Sequence, residues 1–417
     1  MPQSILIDHS QKEFPEFLYM TLDSNSYTQT IFKNDIDIFS YRLYIPKGIR
    51  SHSSGTSVPL VIMLHGCDQT PEEFAEETQM NELAEKENFI VLYPEMNNLA
   101  DWFIFRSLLF NPYLFYFLTP LQIRWLRDYV RLHGPVLKKN VLQSYPGLLN
   151  WVSQYIKMYP FFSDYYEELN STDCWNWFFD ENQHRDKGQP QIIIEIIDQA
   201  KSFLEDEYHI LIDEKKTYAA GFSAGAAMTA ILGATYPDRF HKIAICAGVP
   251  YNAAKPRNRN DLKNIFQDAA SVMETGVEDP YECGDKAFEE MEKGFEKAGK
   301  RTLPVLILQG TDDSIVRRVN GDQVFIQWAQ TNFRIEGGQG RVPTSFSHPV
   351  QAHENGRDYK EYIYKDKNGY PLVQLRVIEG LEHKWSGGNV EGSYTDPHGP
   401  KATEHIWRFF NEKTPSL

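Results

Sequence analysis

The sequence has few cysteines, no long uninterrupted apolar run and no strong excess of positive charge. Its 417 residues include only 4 cysteines, too few for a disulfide-rich scaffold. The most apolar stretch, Trp102–Leu118, is interrupted by Arg106, Asn111 and Pro112 and is short for a membrane-spanning helix. The formal net charge of -15 repels phosphate backbones, so we expect no nucleic-acid partner.

The amino terminus lacks the pattern of a secretory signal peptide. Residues 1–9 contain neither a basic segment nor a sustained apolar segment. We therefore expect a cytoplasmic protein, and secretion by a route that needs no signal peptide stays open.

Apolar runs typical of buried strands alternate with segments that have helical periodicity. Such alternation predicts an α/β fold with a mostly parallel sheet and helices on both faces. An antiparallel edge strand is expected at Asp37–Ile45. The other expected strands are Pro59–Gly66, Phe89–Pro94, Lys216–Phe222, Lys242–Ala247, Leu303–Gly310 and Leu372–Gly380, and the expected helices are Thr70–Lys86, Gln191–Glu207, Ala226–Tyr236 and Lys401–Glu412.

A glycine-flanked serine directly follows the expected strand Lys216–Phe222. Gly221-Phe222-Ser223-Ala224-Gly225 joins the strand to a helix of small residues. A G-x-S-x-G string is common by chance, so the strand before it and the helix after it carry the interpretation. A serine on such a sharp turn needs glycines on both sides, because a Cβ would collide with a neighbouring element. We predict that Ser223 is a nucleophile on this turn.

Two later strands deliver an acid and a histidine in the order that this chemistry requires. Asp312 and Asp313 follow Leu303–Gly310, and His383 follows Leu372–Gly380. We predict Asp313 as the acid and His383 as the general base. Asp312 is the alternative acid, because a shift of one residue at a strand end moves a side chain to the other face.

The loop after the strand Pro59–Gly66 is a candidate for half of an oxyanion hole. Such a hole takes one backbone amide from this loop and one from the residue after the nucleophile. We predict the amides of Cys67 and Ala224 as the two donors. His65 is interpreted as a structural hydrogen-bonding residue, and Gly66 allows the backbone to approach a bound carbonyl closely.

The segment Leu99–Asn170 is unusually aromatic, with 18 aromatic residues among 72 against 14% for the chain, and is too apolar for a disordered linker. We interpret it as a helical cap that shapes an acyl pocket. The alternative is an interfacial lid that binds lipid or polymer granules through Arg124, Arg127, Arg131, Lys138 and Lys139. The expected divisions are 1–98 as the first part of a core, 99–172 as the cap or lid, and 173–417 as the rest of the core.

Blocks of sequence along most of the chain resemble the polyhydroxybutyrate (PHB) depolymerase family of esterases, a branch of the α/β-hydrolases. The blocks occur in the family's order from about Val58 to Phe410. This chain inserts a long segment between Glu95 and Cys174. The resembling blocks are Leu64–Gln69, Met80–Ala84, Val91–Glu95, Cys174–Phe178, Ala234–Asp238, Gly248–Tyr251, His383–Gly388 and Gly392–Pro397.

The resemblance implies a serine esterase with an α/β-hydrolase fold and a triad of Ser223, Asp313 and His383. The implied substrates are short-chain hydroxyalkanoate esters or poly- and oligo-3-hydroxybutyrate, and no metal or organic cofactor is needed. Trp175, Trp177 and Trp385 lie in or beside the resembling blocks and are candidate substrate contacts, with a place in the core as the alternative.

Three further points stay open in the sequence. The chemistry also fits a feruloyl or acetyl-carbohydrate esterase, and a hydrolase fold can serve as a binding protein that acts through its lid. A bridge between Cys67 and Cys174, which both lie in resembling blocks, is a hypothesis that an exported protein would favour more than a reducing cytoplasm. The oligomeric state has no signature in the sequence.

Overall fold

The computed structural model describes residues 18–23, 38–50, 57–95, 174–254, 262–343 and 349–412. The chain divides into two compact units, Met1–Glu95 with Trp175–Leu417, and Met96–Cys174. Of the second unit only Cys174 is among the described residues. The cap or lid over 99–172 and its five basic residues therefore lie outside them, and both interpretations of that segment, like the three expected divisions, stay predictions.

The described part of the chain forms one sheet of ten strands and a separate pair of short strands. The order across the sheet is β1-β2-β4-β3-β5-β6-β7-β10-β9-β8. The strands are β1 Leu18–Asp23, β2 Ile38–Tyr44, β3 Ser57–Leu64, β4 Ile90–Glu95, β5 Leu211–Phe222, β6 Lys242–Cys246, β7 Val305–Gly310, β8 Val350–Glu354, β9 Arg357–Lys365 and β10 Pro371–Ile378, with β11 Trp385–Ser386 and β12 Thr395–Asp396 as the pair.

The six central strands, from β4 to β10 in that order, are parallel, and two antiparallel strands extend the sheet at each edge. Every residue of β6 and β7 is buried, which agrees with apolar runs rather than alternation in their sequences. The mostly parallel α/β sheet that the sequence predicts is confirmed.

Helices connect the parallel strands and pack on the sheet, as crossover connections require. In chain order they are α1 Lys47–Arg50, α2 Pro71–Thr78, α3 Met80–Glu87, α4 Gly188–Tyr208, α5 Ala224–Thr235, α6 Leu262–Thr275, α7 Pro280–Ala298, α8 Arg318–Ile335 and α9 Ala402–Asn411. A 3₁₀ turn, Asp180–Gln183, precedes α4. Among the described residues, no helix combines the length and the apolar character that crossing a membrane would demand.

The single helix expected over Thr70–Lys86 is two helices, and this prediction was wrong. Gln79 takes a left-handed conformation with φ 56° and separates α2 from α3. The last carbonyls of α2 accept hydrogen bonds from distant parts of the chain, Glu77 from the amide of Asn389 at 2.9 Å and Thr78 from the hydroxyl of Thr403. Tertiary contacts therefore end the helix where its own sequence would continue it.

Nine elements in the described part of the chain were not predicted from the sequence: β1, α1, α6, α7, α8, β8, β9, β11 and β12. Of these, α6 and α7 lie in the long connection after β6, and β8 and β9 form an antiparallel hairpin beside β10. The hairpin escaped prediction because its polar residues show no run of buried apolar positions, and most of its side chains are only partly buried.

Candidate active site

Ser223 lies on a sharp turn between β5 and α5. Its backbone has φ 54° and ψ -120°, a conformation that residues with a Cβ rarely adopt. A Cβ on Gly221 would lie 2.2 Å from the carbonyl oxygen of Gly225, and one on Gly225 would lie 2.1 Å from that of Leu64. Glycine is therefore required at both positions for the strand, the turn and the helix to pack this closely.

The loops after β7 and β10 are joined to each other by backbone contacts. A Cβ on Gly310 would lie 2.1 Å from the carbonyl oxygen of Leu381. The amide of Asp312 donates to that same carbonyl at 3.1 Å, and the hydroxyl of Thr311 accepts from the amide of Gly380 at 2.8 Å. These contacts bring the acid of one loop beside the histidine of the other.

A continuous chain of hydrogen bonds connects the serine, the histidine and an aspartate. The Nε2 atom of His383 is 2.9 Å from Oγ of Ser223, and its Nδ1 atom is 2.8 Å from Oδ2 of Asp313. Because a carboxylate can only accept, Nδ1 carries the proton and Nε2 is the acceptor for the serine hydroxyl. The ring of Phe222 lies 4.9 Å from the imidazole, centroid to centroid.

The structure brings Asp313, and not Asp312, to the histidine. Asp313 is buried, and its Oδ1 atom accepts from the amides of Ile315 at 3.0 Å and Val316 at 2.9 Å. Asp312 is exposed, and its carboxylate accepts from the hydroxyl of Thr311. The backbone bonds fix the carboxylate of Asp313 with its second oxygen toward the imidazole.

The side chain of Gln309 contacts the carboxylate of Asp313, and the sequence analysis did not predict this contact. It is a buried polar residue within the apolar strand β7. Its Nε2 atom is 3.4 Å from Oδ2 of Asp313 and 3.0 Å from the carbonyl of Val316. A polar side chain at a buried strand position was the available signal, since such groups take hydrogen-bond partners.

The loop after β3 approaches the nucleophile closely. A Cβ on Gly66 would lie 3.4 Å from that of Ser223, so this loop and the serine turn are neighbours. The amide of Gly66 donates to Oε1 of Gln69 at 2.7 Å. The ring of His65 is buried, and its Nδ1 atom lies 2.8 Å from the carbonyl of Gly66. Burial lowers the pKa of His65, which agrees with the structural role expected for it.

The two predicted oxyanion donors belong to the residues that follow Gly66 and Ser223 in sequence. Ala224 is the first residue of α5, where backbone amides have no partner within the helix. Cys67 follows Gly66 in the neighbouring loop. A helix amino terminus that faces a reacting atom favours negative charge there. The assignment of these two amides stays a prediction.

The three tryptophans predicted as substrate contacts are buried. Trp175 is 2% exposed and donates from Nε1 to the carbonyl of His65 at 3.0 Å. Trp385 is also 2% exposed, and its Nε1 atom donates to the hydroxyl of Thr403 at 3.1 Å. Trp177 is 6% exposed and packs edge-on against Phe178. This burial favours a core role, and the substrate contact stays a prediction.

The cysteines differ in state. Cys67 and Cys174 are each disulfide-bonded. Cys246 and Cys283 are free and buried, and burial raises the pKa of both thiols. Neither free thiol therefore has the character of a reactive cysteine.

A serine on a strained strand-to-helix turn, an imidazole hydrogen-bonded to a buried carboxylate and a mostly parallel sheet that carries all three loops are the features of an α/β-hydrolase. The solved structure of an acetyl xylan esterase from Aspergillus awamori shares the fold. It aligns with a TM-score of 0.52 at 15% identity and covers 89% of this chain and 93% of that one.

Sequence comparison places the chain within this class. A model of the family described as esterase PHB depolymerase matches residues 39–103 and 129–351, which is more than half of the chain. The chain belongs to this family. The matched ranges include Ser223 and Asp313, whereas His383 lies beyond them.

A poly(3-hydroxyalkanoate) depolymerase C of Paucimonas lemoignei is similar to part of the chain. The two are 30% identical over 215 residues, which is 51% of this chain. The aligned region spans 44% of the length of that relative.

Proposed function

We propose that this protein is a serine esterase that hydrolyses short-chain hydroxyalkanoate esters or poly- and oligo-3-hydroxybutyrate through an acyl-enzyme. The observation that carries the proposal is the hydrogen-bond chain from Ser223 through His383 to Asp313. Membership of the esterase PHB depolymerase family supports the reaction class. The partial similarity to a poly(3-hydroxyalkanoate) depolymerase supports the substrate class.

In the proposed first half-reaction, Oγ of Ser223 forms a bond to the ester carbonyl carbon, and its proton passes to Nε2 of His383. Asp313 holds the imidazole in the required tautomer and stabilises its positive form. The carbonyl π electrons move to the oxygen, where the amides of Cys67 and Ala224 would each contribute about 3 kcal/mol of stabilisation.

The second half-reaction releases the acid. When the tetrahedral intermediate collapses, the alcohol leaves with the proton from His383, and the acyl group stays on Ser223. Water then donates a proton to His383 and attacks the acyl carbon, and the hydroxyacid leaves as the serine regains its proton. The residues named here supply every proton transfer, so the proposal invokes no metal or organic cofactor.

The direct test is a series of p-nitrophenyl esters from acetate to palmitate, measured beside 3-hydroxybutyrate oligomers, with Ser223→Ala as the inactive variant. We expect hydrolysis of the short esters and oligomers that is lost in Ser223→Ala. Ser271→Ala, at an exposed position of α6, is the control for an unrelated serine. Circular dichroism shows whether both variants fold.

Two outcomes would contradict the proposal. Faster hydrolysis of feruloyl or acetylated sugar esters than of hydroxybutyrate esters would favour a carbohydrate esterase. Failure of the folded protein to hydrolyse any ester or to react with a fluorophosphonate would favour a binding protein that acts through its lid.

A further inference from the structure

A buried carboxylate on α2, that of Glu77, is used by none of the steps above. Glu77 is 7% exposed and lies on the buried face of its helix with Phe74 and Ala75. A buried carboxylate is costly unless its oxygens accept hydrogen bonds. Among the described residues, no lysine, arginine or histidine forms an ion pair with Glu77, so neighbouring N–H groups must satisfy its oxygens.

Three N–H groups donate to this carboxylate. The Oε1 atom of Glu77 accepts from the amide of Ser393 at 2.7 Å and from that of Tyr394 at 3.3 Å. The Oε2 atom accepts from Nε2 of Gln69. The carboxylate therefore connects two segments that are far apart in sequence, the loop after β3 and the loop that follows the histidine and β11.

The second segment encloses Glu77 on several sides. The amide of Asn389 donates to the backbone carbonyl of Glu77 at 2.9 Å. A Cβ on Gly388 would lie 2.6 Å from that carbonyl oxygen, and one on Gly392 would lie 2.7 Å from Cγ of the Glu77 side chain. The side chain is thus held at its backbone and at its carboxylate.

Gln69 connects the Glu77 carboxylate to the loop beside the nucleophile. Gln69 is 3% exposed, and its Oε1 atom accepts from the amide of Gly66 at 2.7 Å. A backbone amide can only donate and a carboxylate can only accept, so the orientation of the Gln69 amide is fixed by its two neighbours. The Gly66 peptide leads directly into Cys67, whose amide is the predicted oxyanion donor.

We infer that Gln69 and Glu77 form a positioning relay for the oxyanion hole. The relay runs from the loop after the histidine through the Glu77 carboxylate and the Gln69 amide to the backbone of Gly66. It holds the peptide before Cys67 so that the next amide is directed at the carbonyl oxygen above Ser223. The two residues touch no reacting atom and act only through the loop. The inference rests on the proposed esterase function.

Each hydrogen bond of the relay has a fixed direction from donor to acceptor. An isosteric substitution that changes an acceptor into a donor therefore disrupts the relay without changing its shape. In Glu77→Gln, one of the two carboxylate oxygens becomes an NH₂ group. If that NH₂ faces Gln69, the Gln69 amide must turn to accept from it, and the Gly66 amide then faces an NH₂ group. If the NH₂ faces the amides of Ser393 and Tyr394, those two amides lose their acceptor. Either arrangement leaves buried donors without a partner.

Kinetic measurements separate positioning from general destabilisation. We expect Glu77→Gln and Gln69→Ala each to lower kcat by about 10- to 100-fold, because a small misplacement of a catalytic group costs this much. KM should stay within about twofold, since the relay does not contact the bound ester. The double variant should be no slower than the slower single variant, because the relay is broken only once. Titration with a fluorophosphonate corrects every rate for the fraction of active enzyme.

A short-chain alkyl trifluoromethyl ketone tests the oxyanion hole directly. Oγ of Ser223 adds to its carbonyl carbon, the hydroxyl proton passes to His383, and the former carbonyl oxygen becomes an anion in the hole. We expect the inhibition constant to rise in each variant by the factor by which kcat/KM falls. A purely structural role would not produce this proportionality.

Glu290→Gln is the matched control. Glu290 is also a buried carboxylate, 4% exposed, and accepts from the amide of Arg185 at 2.8 Å. It lies on α7 and has no contact with Gln69 or Gly66. We expect Glu290→Gln to lower stability while kcat and the inhibition constant stay within about twofold of the original protein.

The outcomes distinguish this inference from the function on which it rests. If the original protein hydrolyses esters and both relay variants keep kcat and the inhibition constant within about twofold, the relay is overturned and the esterase proposal stands. If the original protein neither hydrolyses esters nor binds the ketone, both are overturned. If Glu77→Gln does not fold, Gln69→Ala decides the matter, because Gln69 makes none of the bonds to Ser393 and Tyr394.

Discussion

The loops at the carboxyl ends of β5, β7 and β10 and the hairpin of β8 and β9 lie on the same sheet but differ in burial and in how closely they are packed. The first region is packed backbone against backbone, with glycines at the contacts and a buried carboxylate at its centre. The hairpin is partly exposed along both strands. It is attached by the backbone ladder between β9 and β10 and by polar side chains, such as Glu361 to Arg376 at 2.8 Å and Glu354 to His405 at 2.9 Å.

The difference shows what positions a site of this kind. Backbone contacts in a fully buried parallel sheet leave little freedom, because a protein interior is close-packed and responds to the addition of a single methyl group. Polar side-chain contacts at a solvated edge adjust more readily and contribute less each. We therefore expect substitutions in the first region to affect activity or folding strongly and those in the hairpin to affect mainly stability.

The largest contrast lies between two adjacent aspartates. Asp313→Asn should lower kcat by about 10⁴-fold, because an amide in place of the carboxylate favours the wrong histidine tautomer. Asp312→Asn removes a charge of the same sign one residue away and should change kcat by no more than about twofold. Steady-state kinetics on a short ester measures both. Equal losses in the two variants would contradict the assignment of the acid.

Substitution of one glycine in each region by alanine allows their effects on the free energy of unfolding to be compared. In Gly310→Ala the new methyl would lie 2.1 Å from the carbonyl oxygen of Leu381, a backbone atom that cannot move alone, so we expect a loss of about 3 kcal/mol in the free energy of unfolding. In Gly356→Ala, between β8 and β9, the nearest atom is 3.8 Å away, on His398.

Only the positive φ of 85° opposes alanine at position 356, and the expected loss there is about 1–2 kcal/mol. Urea unfolding compares the two variants. A larger loss at position 356 than at position 310 would contradict the distinction between the two regions.

Removal of one ion pair of the hairpin shows whether the hairpin contributes to stability alone or also to activity. Arg357 on β9 pairs with the carboxylate of Asp396, which is 9% exposed on its side chain. Although burial acts to raise the pKa of Asp396, hydrogen bonds from the amide of His398 and from Arg357 lower it below its usual value. Arg357→Ala should cost about 1–3 kcal/mol of unfolding free energy, because it leaves this carboxylate with fewer donors.

The kcat of Arg357→Ala should stay within about twofold of that of the original protein. Thermal unfolding and ester kinetics on the same sample give the two quantities. A loss of kcat without loss of stability would show that the hairpin takes part in positioning the site.

The last expected effect is confined to acidic pH and concerns a histidine near the amino end of β6. Burial, with a smaller contribution from Arg301, lowers the pKa of His241 to about 4. Its Nδ1 atom has no hydrogen-bond partner among the described residues. The unfolded chain, with a histidine pKa of about 6.5, binds a proton more readily than the folded protein does, so stability should fall as the pH decreases from about 6.5 to 4.

His241→Gln should reduce this acid sensitivity, and His353→Gln, at an exposed position of β8, is the control. Unfolding midpoints at several pH values measure the difference. An unchanged pH dependence in His241→Gln would contradict the contribution assigned to this residue.

The comparison between the two regions also explains where sequence-based prediction succeeded. The parallel strands and the turn at Ser223 have local signatures, since buried apolar runs and paired glycines follow from backbone sterics within a few residues. The hairpin of β8 and β9 has no such signature, and neither does the end of α2 at Gln79. That helix ends because residues more than three hundred positions later bond to its last carbonyls.

The amino-acid sequence by itself determined the parallel α/β sheet, the strained serine turn and the order of serine, acid and histidine along the chain. Each depends on the local geometry of one strand and the residues just after it. Only the tertiary structure decided that Asp313 faces the histidine, that Trp175 and Trp385 are buried, and that Glu77 connects to Ser393 across 316 positions. Those contacts depend on which elements become neighbours, and no local periodicity encodes that choice.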